Sequence, residues 1–383
     1  MFANNSCFAG RRGSGVRKAA FRPEYENWIR TDQDGTHEEV KMKRWEGFEH
    51  GINLGGWLSQ CDHTKERYDN FIVEADIEKI KSFGLDHIRI PVDYDLVEEE
   101  DGTYKEDGFS YIEKAIGWCR KYGLNMILDL HKTYGYSFDV GEGESGFFEN
   151  EAYQERFMKL WEEFARRFSK DQDMLAFELL NEVTEKEVSD VWNRISTDCI
   201  KRIRKISPEI SILIGGYYNN SIEALKDLPM PLDENIIYNF HCYEPVIFTH
   251  QGAYWAPGMD TSFRMSLNAT YKEMAQMTAK YIHMGTVGFD GFPENGTLGP
   301  EYFEKYFSEA VQIAEERNVA LYCGEYGVIN LASPEDTLTW YQLIGGTFEK
   351  YGIGRAAWSY KEMDFGLIDE HMKPVLPEIL KVL

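Results

Sequence analysis

Residues 174–182 read MLAFELLNE, an apolar run of strand-forming residues that ends in two strongly polar side chains, Asn181 and Glu182. A second run, residues 319–326 (VALYCGEY), ends in the same way around Glu325. Strands that are buried on both faces have this near-continuous apolar pattern. Six further runs share it, at residues 51–57, 86–92, 124–131, 210–216, 236–243 and 354–360.

Amphipathic segments separate these eight runs. Ile77, Ile80 and Phe83 repeat at helical spacing before Gly84, and a similar pattern ends at Gly123, where a helix C-cap is expected. Eight buried strands, each followed by a helix, predict an α/β fold of the (β/α)8 or TIM-barrel type. A doubly wound open sheet is the structural alternative.

The predicted domain organisation is simple. We expect residues 1–20 to be a flexible leader and residues 21–383 to form a single catalytic barrel domain. Residues 244–300 contain no strand pattern and are rich in aromatic residues. Because so long a loop without secondary structure is uncommon, they predict an inserted helical subdomain between strand six and helix six, over the cleft.

Composition narrows the possible partners of this 383-residue chain. A formal net charge of −24 argues against nucleic acid and anionic membranes, and no apolar stretch is long enough to cross a bilayer. The first residues lack a secretory-signal pattern, so we expect a cytoplasmic protein, or a secreted one if a signal was removed or replaced. The six cysteines are scattered, so we expect reduced thiols and no zinc site. We also expect a monomer that needs no metal and no cofactor.

Chemistry in such a barrel occurs at the C-terminal ends of the strands, and six of the eight predicted ends carry ionisable, hydrogen-bonding or aromatic side chains. Two glutamates from nearly opposite strands suggest hydrolysis of a glycosidic bond. We expect Glu182 and Glu325 each to be the last inward-facing residue of its strand, with the carboxyl groups ~5–5.5 Å apart, the spacing of a retaining pair. The candidate site comprises Arg89, His131, Asn181, Glu182, His241, Tyr243, Glu325 and Trp358.

The neighbouring residue types assign roles to these side chains. Arg89 and Tyr243 can keep Glu325 ionised as the nucleophile, because a cation and a donor both favour the charged form. Glu182 has no cation in its motif, so its pKa can lie higher, as suits an acid. Asn181 can bind a substrate hydroxyl. Trp358 offers a flat face for a sugar ring.

These motifs resemble glycoside hydrolase family 5, the cellulase A family, from about residue 51 to the C-terminus. The motifs that carry the resemblance are GINLGGWL, RIP, DLH, LNE, FHCY, CGEYG and AAWSY. The family implies a retaining, cofactor-free mechanism in which Glu182 is the acid/base, Glu325 the nucleophile and the other six residues supporting groups. GINLGGWLSQ, FTHQ and the long insertion are similar to the clostridial endoglucanase C type, which implies β-1,4-glucan and mixed-linkage β-glucan substrates.

Other functions remain open at this point. A β-mannanase or glucomannanase would use the same eight residues, and a catalytically inactive carbohydrate-binding barrel is an alternative from another class. Lys132 stands where many relatives carry a second histidine after His131. In the insertion, Tyr254 and Trp255 are the residues we expect to form a sugar platform; the alternative is that the insertion is a packing cap with Trp255 in its own small core.

Overall fold

A computed structural model describes residues 30–31, 37–38, 42–139, 143–282 and 288–383. Residues 42–383 form one compact unit, and the short strands Arg30–Thr31 and His37–Glu38, which pair antiparallel, belong to a separate unit. The predicted leader, residues 1–20, lies outside the described residues. No helix in the described ranges is both long and apolar enough to cross a membrane.

Eight parallel strands close into a barrel in which each strand pairs with its neighbours in sequence and the last pairs with the first. All eight predicted strands are therefore confirmed, and the TIM-barrel prediction is correct. The strands are β1 His50–Asn53, β2 His87–Asp93, β3 Asn125–Lys132, β4 Leu175–Glu178, β5 Ser211–Ile214, β6 Ile236–Cys242, β7 Ala320–Tyr326 and β8 Gly354–Ala357.

Helices connect successive strands and cover the outside of the barrel. Gly123 caps one of them in the left-handed region at φ 67°, as its position in the sequence predicts. The helical segments are α1 Lys65–Asn70, α2 Glu74–Ser82, α3 Tyr94–Val97, α4 Glu106–Tyr122, α5 Glu151–Phe168, α6 Ser189–Arg204, α7 Tyr217–Asn220, α8 Val246–Thr249, α9 Tyr271–Tyr281, α10 Pro300–Arg317, α11 Pro334–Tyr351 and α12 Leu376–Ile379. The four-residue segment α7 is a turn with left-handed residues rather than a regular α-helix. Short 3₁₀ turns lie at Ser169–Asp171, Lys186–Val188, Ile222–Asp227 and Glu370–Met372.

The insertion between β6 and α10 contains the helices α8 and α9, so the predicted helical insertion is confirmed. Thr270 begins α9 with a reciprocal capping box with Glu273. Ala253 from the insertion packs with Ile329, Trp358 and Phe365 in a small apolar cluster beside the C-terminal ends of β7 and β8.

The barrel interior is apolar at one end and charged at the other. Its lower layer consists of side chains such as Ile127, Leu213, Ile237 and Tyr322. The next inward-facing residues along the strands are polar and fully buried: Asn53, Arg89, Asp129, Glu178 and Asn239. Because buried charges require partners, this polar layer forms a fixed floor beneath the C-terminal mouth.

Candidate active site

Glu325 reaches the mouth of the barrel because strand β7 contains a bulge. Phe240 of β6 pairs with Cys323 and His241 pairs with Glu325, so Gly324 is an extra residue. The bulge turns Glu325 onto the inner face. Glycine is required there, because a Cβ at position 324 would lie 2.7 Å from Oδ1 of Asn239.

Glu182 lies beyond its strand, so the expectation that it is the last inward residue of that strand is wrong. Strand β4 ends at Glu178, although Asn181 N–H still donates to Leu130 O at 3.1 Å. At Glu182 the backbone turns into the left-handed region with φ 37°. The hydroxyl of Tyr136 supports this turn by donating to Glu182 O at 2.7 Å and accepting from Thr184 N–H at 3.0 Å.

The two glutamates face each other across His241. Nδ1 of His241 lies 2.7 Å from Oε1 of Glu182 and 3.7 Å from Oε2 of Glu325. One carboxylate oxygen of each glutamate and one ring nitrogen of His241 all lie within 4.8 Å of one another. The carboxylates are therefore close enough to act on one atom of a bound molecule.

Glu325 is held through both of its oxygens. Nη1 of Arg89 donates to Oε1 at 2.9 Å, and the hydroxyl of Tyr243 donates to Oε2 at 2.9 Å. The structure thus places Arg89 and Tyr243 on this carboxylate, where the sequence analysis expects them.

Arg89 is also the centre of a buried polar network that the sequence analysis missed. Its guanidinium donates twice to Glu178, at 2.7 and 2.8 Å, and lies 3.0 Å from Oδ2 of Asp129. Asn53 and Asn181 accept the remaining bonds at 2.9 Å. The sequence does contain a signal for this network: Glu178 interrupts the apolar run FELLNE, and Asp129 interrupts LDLH. Because an unpaired buried carboxylate is costly, each of these residues indicates a buried cationic partner.

Burial and partners set the protonation of the two glutamates differently. Burial raises the pKa of Glu182 to about 7. Burial also raises the pKa of Glu325, and His241, Arg89 and the Tyr243 hydrogen bond oppose that rise. Burial lowers the pKa of His241 to about 4, so its imidazole is neutral near pH 7. When the pair holds one proton, the guanidinium and the hydroxyl on Glu325 favour placing that proton on Glu182.

The remaining predicted residues line the same opening. The rings of His131 and Trp358 stack at 5.9 Å and 4°, and Nδ1 of His131 lies 2.6 Å from Asp129. Nδ2 of Asn181 is buried and has no hydrogen-bond partner among the described residues. Lys132, which follows His131 in strand β3, pairs with Asp139 at 2.9 Å.

Tyr254 and Trp255 lie on the surface of the insertion, with exposed fractions of 77% and 40%. Neither makes a described contact with the two glutamates. Trp255 connects to the site through Phe365, whose ring lies 6.2 Å from Trp255 and 5.7 Å from Tyr243.

Two groups in the described part of the chain bring three potential metal-donor atoms within 4.8 Å: Glu182 with His241 and Glu325, and His63 with Asp93 and Asp95. In the first group, the carboxylate oxygens already accept hydrogen bonds from protein side chains. The geometry of that group suits a proton donor facing a nucleophile.

Comparisons with known proteins agree with this geometry. The family model described as Cellulase (glycosyl hydrolase family 5) matches residues 34–364. Cellodextrinase A of Ruminococcus flavefaciens is 48% identical over 314 residues, which cover 82% of this chain and 86% of that protein. Endoglucanase C of Acetivibrio thermocellus is 40% identical over 348 residues, which cover 88% of this chain and 98% of that protein.

Solved structures show the same fold. The cellulose synthase subunit Z of Clostridioides difficile superposes with a TM-score of 0.68 at 27% identity, covering 87% of this chain and 99% of that one. A hyperthermophilic endo-beta-1,4-glucanase in complex with substrate superposes with a TM-score of 0.70 at 22% identity, covering 88% and 97%. The chain belongs to glycosyl hydrolase family 5, the cellulase family, and is a glycoside hydrolase.

Proposed function

We propose that the protein hydrolyses β-1,4-glucans, including mixed-linkage β-1,3-1,4-glucans, by double displacement with retention of configuration. One observation carries the proposal: oxygens of Glu182 and Glu325 lie within 4.8 Å of each other. Retaining pairs are separated by ~5–5.5 Å, whereas inverting pairs need ~6.5–9.5 Å to admit a water molecule.

In the first step, a carboxylate oxygen of Glu325 attacks the anomeric carbon while the proton of Glu182 passes to the glycosidic oxygen. The bond between that carbon and the leaving oxygen breaks, and a covalent α-glycosyl ester forms. The pKa of Glu182, about 7 because of burial, suits this donation near neutral pH. Arg89 and Tyr243 hold the attacking carboxylate in position.

In the second step, Glu182 is ionised and accepts a proton from water as the water oxygen attacks the same carbon. The ester bond breaks and Glu325 is released as a carboxylate. Nδ2 of Asn181, for which the described residues offer no partner, can donate to the substrate hydroxyl beside the anomeric carbon. Such a bond strengthens as charge develops on the sugar ring.

Sugar rings stack on flat apolar surfaces, and Trp358 offers one at the bottom of the mouth. We place a second platform at Trp255, which is 40% exposed and contacts Phe365. In this arrangement residues 244–300 shape one wall of the substrate cleft. The relatives described as an endoglucanase and a cellodextrinase support glucan as the substrate class.

The test is reducing-sugar release from carboxymethylcellulose, barley β-glucan, glucomannan and galactomannan, with the Glu325→Gln variant as the blank. We expect release from the first two polymers and from glucomannan. Release from galactomannan at a rate equal to or above that from β-glucan would replace the proposal with a mannanase. No release from any polymer, together with retained binding to them, would indicate an inactive sugar-binding barrel.

A further inference from the structure

The end of strand β5 is built differently from the other strand ends. It leads into α7, where Tyr218, Asn219 and Asn220 follow one another in the left-handed region, with φ of 52°, 57° and 56°. Residues other than glycine rarely adopt this region, and asparagine does so most readily. Non-glycine residues in this conformation cluster at functional sites, where the surrounding structure holds them.

One backbone hydrogen bond ties this segment to the loop that carries Glu182: Asn219 N–H donates to Val183 O at 3.0 Å. A second, from Asn220 N–H to Gly216 O at 3.1 Å, closes the turn within the segment itself. Val183 follows Glu182 directly in sequence. The two unusual turns, at Glu182 and at Asn219, are therefore joined to each other.

The side chains of the two asparagines lead to the two oxygens of one carboxyl group. Nδ2 of Asn219 donates to Oε2 of Glu182 at 2.8 Å. On the other side, Nδ1 of His241 lies 2.7 Å from Oε1 of Glu182. Nε2 of His241 in turn lies 3.3 Å from Nδ2 of Asn220.

The protonation state of His241 determines which atom donates and which accepts in each of these hydrogen bonds. Its pKa, lowered by burial to about 4, leaves the imidazole neutral, with one N–H and one acceptor nitrogen. A carboxylate accepts, so the N–H is at Nδ1 and faces Glu182. Nε2 is then the acceptor, and the amide of Asn220, which is fully buried, supplies the matching N–H.

We propose that Asn219 and Asn220 are positioning residues that fix the carboxyl group of Glu182, Asn219 directly and Asn220 through His241. This inference rests on the proposed acid/base role of Glu182. Neither asparagine attacks or protonates the substrate. They fix the orientation of the Glu182 carboxyl group, so that its proton already points at the glycosidic oxygen when substrate binds.

The same contact affects when Glu182 is protonated. Burial raises the pKa of Glu182, and the Asn219 hydrogen bond opposes that rise by stabilising the charged form. Removing the donor therefore raises the pKa. The other charged or titratable groups near Glu182 come from five strands and the two loops that follow β3 and β6, and they stay unchanged in such a variant: Arg89, Asp129, Tyr136, Asp139, Glu178, His241, Tyr243 and Glu325.

The test compares Asn219→Asp and Asn219→Gly with the wild type. Aspartate keeps the size and tolerates a positive φ, and glycine adopts this backbone freely without adding charge. Asn318→Asp is the matched control, because Asn318 also has a positive φ, 50°, and caps α10 away from the site. Thermal unfolding of all variants reports whether the fold is retained.

We expect both Asn219 variants to lower kcat on cello-oligosaccharides by about tenfold to a hundredfold, with KM within about twofold. The alkaline limb of kcat/KM should move to higher pH, because activity there is lost as Glu182 ionises. The loss in kcat/KM should be much smaller for 2,4-dinitrophenyl cellobioside, whose leaving group needs no proton. Asn318→Asp should match the wild type in every measurement.

Equal losses on both substrates with an unmoved alkaline limb would show that Asn219 has only a structural role and would overturn the proposal. Wild-type rates in both Asn219 variants would overturn it as well. The Glu182→Ala variant tests the acid/base assignment separately. If that variant lost activity equally on cello-oligosaccharides and on 2,4-dinitrophenyl cellobioside, Glu182 would not be the acid. If aspartate unfolds the protein, the glycine variant decides between these outcomes.

Discussion

Tyr243→Phe isolates the hydrogen bond that holds the proposed nucleophile. The substitution removes the hydroxyl group, which donates to Oε2 of Glu325 at 2.9 Å, and retains the ring that packs against His250 and Phe365. A hydrogen bond to a charged group contributes about 1.5–3 kcal/mol. Because each ~1.4 kcal/mol corresponds to a factor of ten, the ionised form of Glu325 becomes about tenfold to a hundredfold less favourable.

The direction in which Tyr243→Phe shifts the pH profile follows from the role of this hydrogen bond. The Tyr243 hydrogen bond lowers the pKa of Glu325, so its loss raises that pKa and moves the acidic limb of kcat/KM to higher pH. On that limb the variant should be slower by about tenfold to a hundredfold. At higher pH, where Glu325 is ionised in both proteins, the difference should shrink.

The assay is kcat/KM for an aryl cellobioside over about pH 4–8. Tyr341→Phe is the matched control, because the hydroxyl of Tyr341 is buried and has no hydrogen-bond partner in the part of the chain that the structure describes. It should leave the profile unchanged. An acidic limb that stays in place in Tyr243→Phe, or a uniform loss at all pH values, would refute the reasoning about Glu325.

Three further variants test the other roles. Glu325→Gln should lower turnover by more than about a thousandfold while oligosaccharide binding and thermal unfolding stay near wild type, and activity within about tenfold would contradict its role as nucleophile. Glu182→Ala should retain the glycosylation rate on 2,4-dinitrophenyl cellobioside and lose it on natural glucans, because only the latter need a proton donor; equal losses would exclude Glu182 as the acid. Trp255→Ala should raise KM for long cello-oligosaccharides more than for short ones, and equal increases would favour a packing role for the insertion.

The barrel could be predicted from the sequence because its eight strands are buried on both faces. That environment leaves continuous apolar runs, and the polar residues that end them stand out. Gly123 likewise indicated a helix end, since few residues tolerate the left-handed conformation it adopts at φ 67°.

Other features of the site depend on backbone geometry that the hydrophobic pattern of the sequence does not predict. The apolar run around β4 continues past Glu178, so the turn at Glu182 could not be located from it. The bulge at Gly324 became visible only in the pairing of β6 with β7. Asn219 and Asn220 follow β5, for which the sequence pattern predicts no site residue, although asparagine tolerates left-handed backbone and consecutive asparagines after a strand indicate it.

The anomeric form of the first product tests the central claim most directly. Carboxylate oxygens of Glu182 and Glu325 within 4.8 Å of each other leave no room for a water molecule between Glu325 and the sugar, so Glu325 must attack carbon itself. Proton NMR of the early hydrolysis of a β-glucan oligosaccharide distinguishes the two anomers before mutarotation. We expect the β-anomer first, followed by slow appearance of the α-anomer. If the α-anomer forms first, the protein inverts configuration and Glu325 is not the nucleophile.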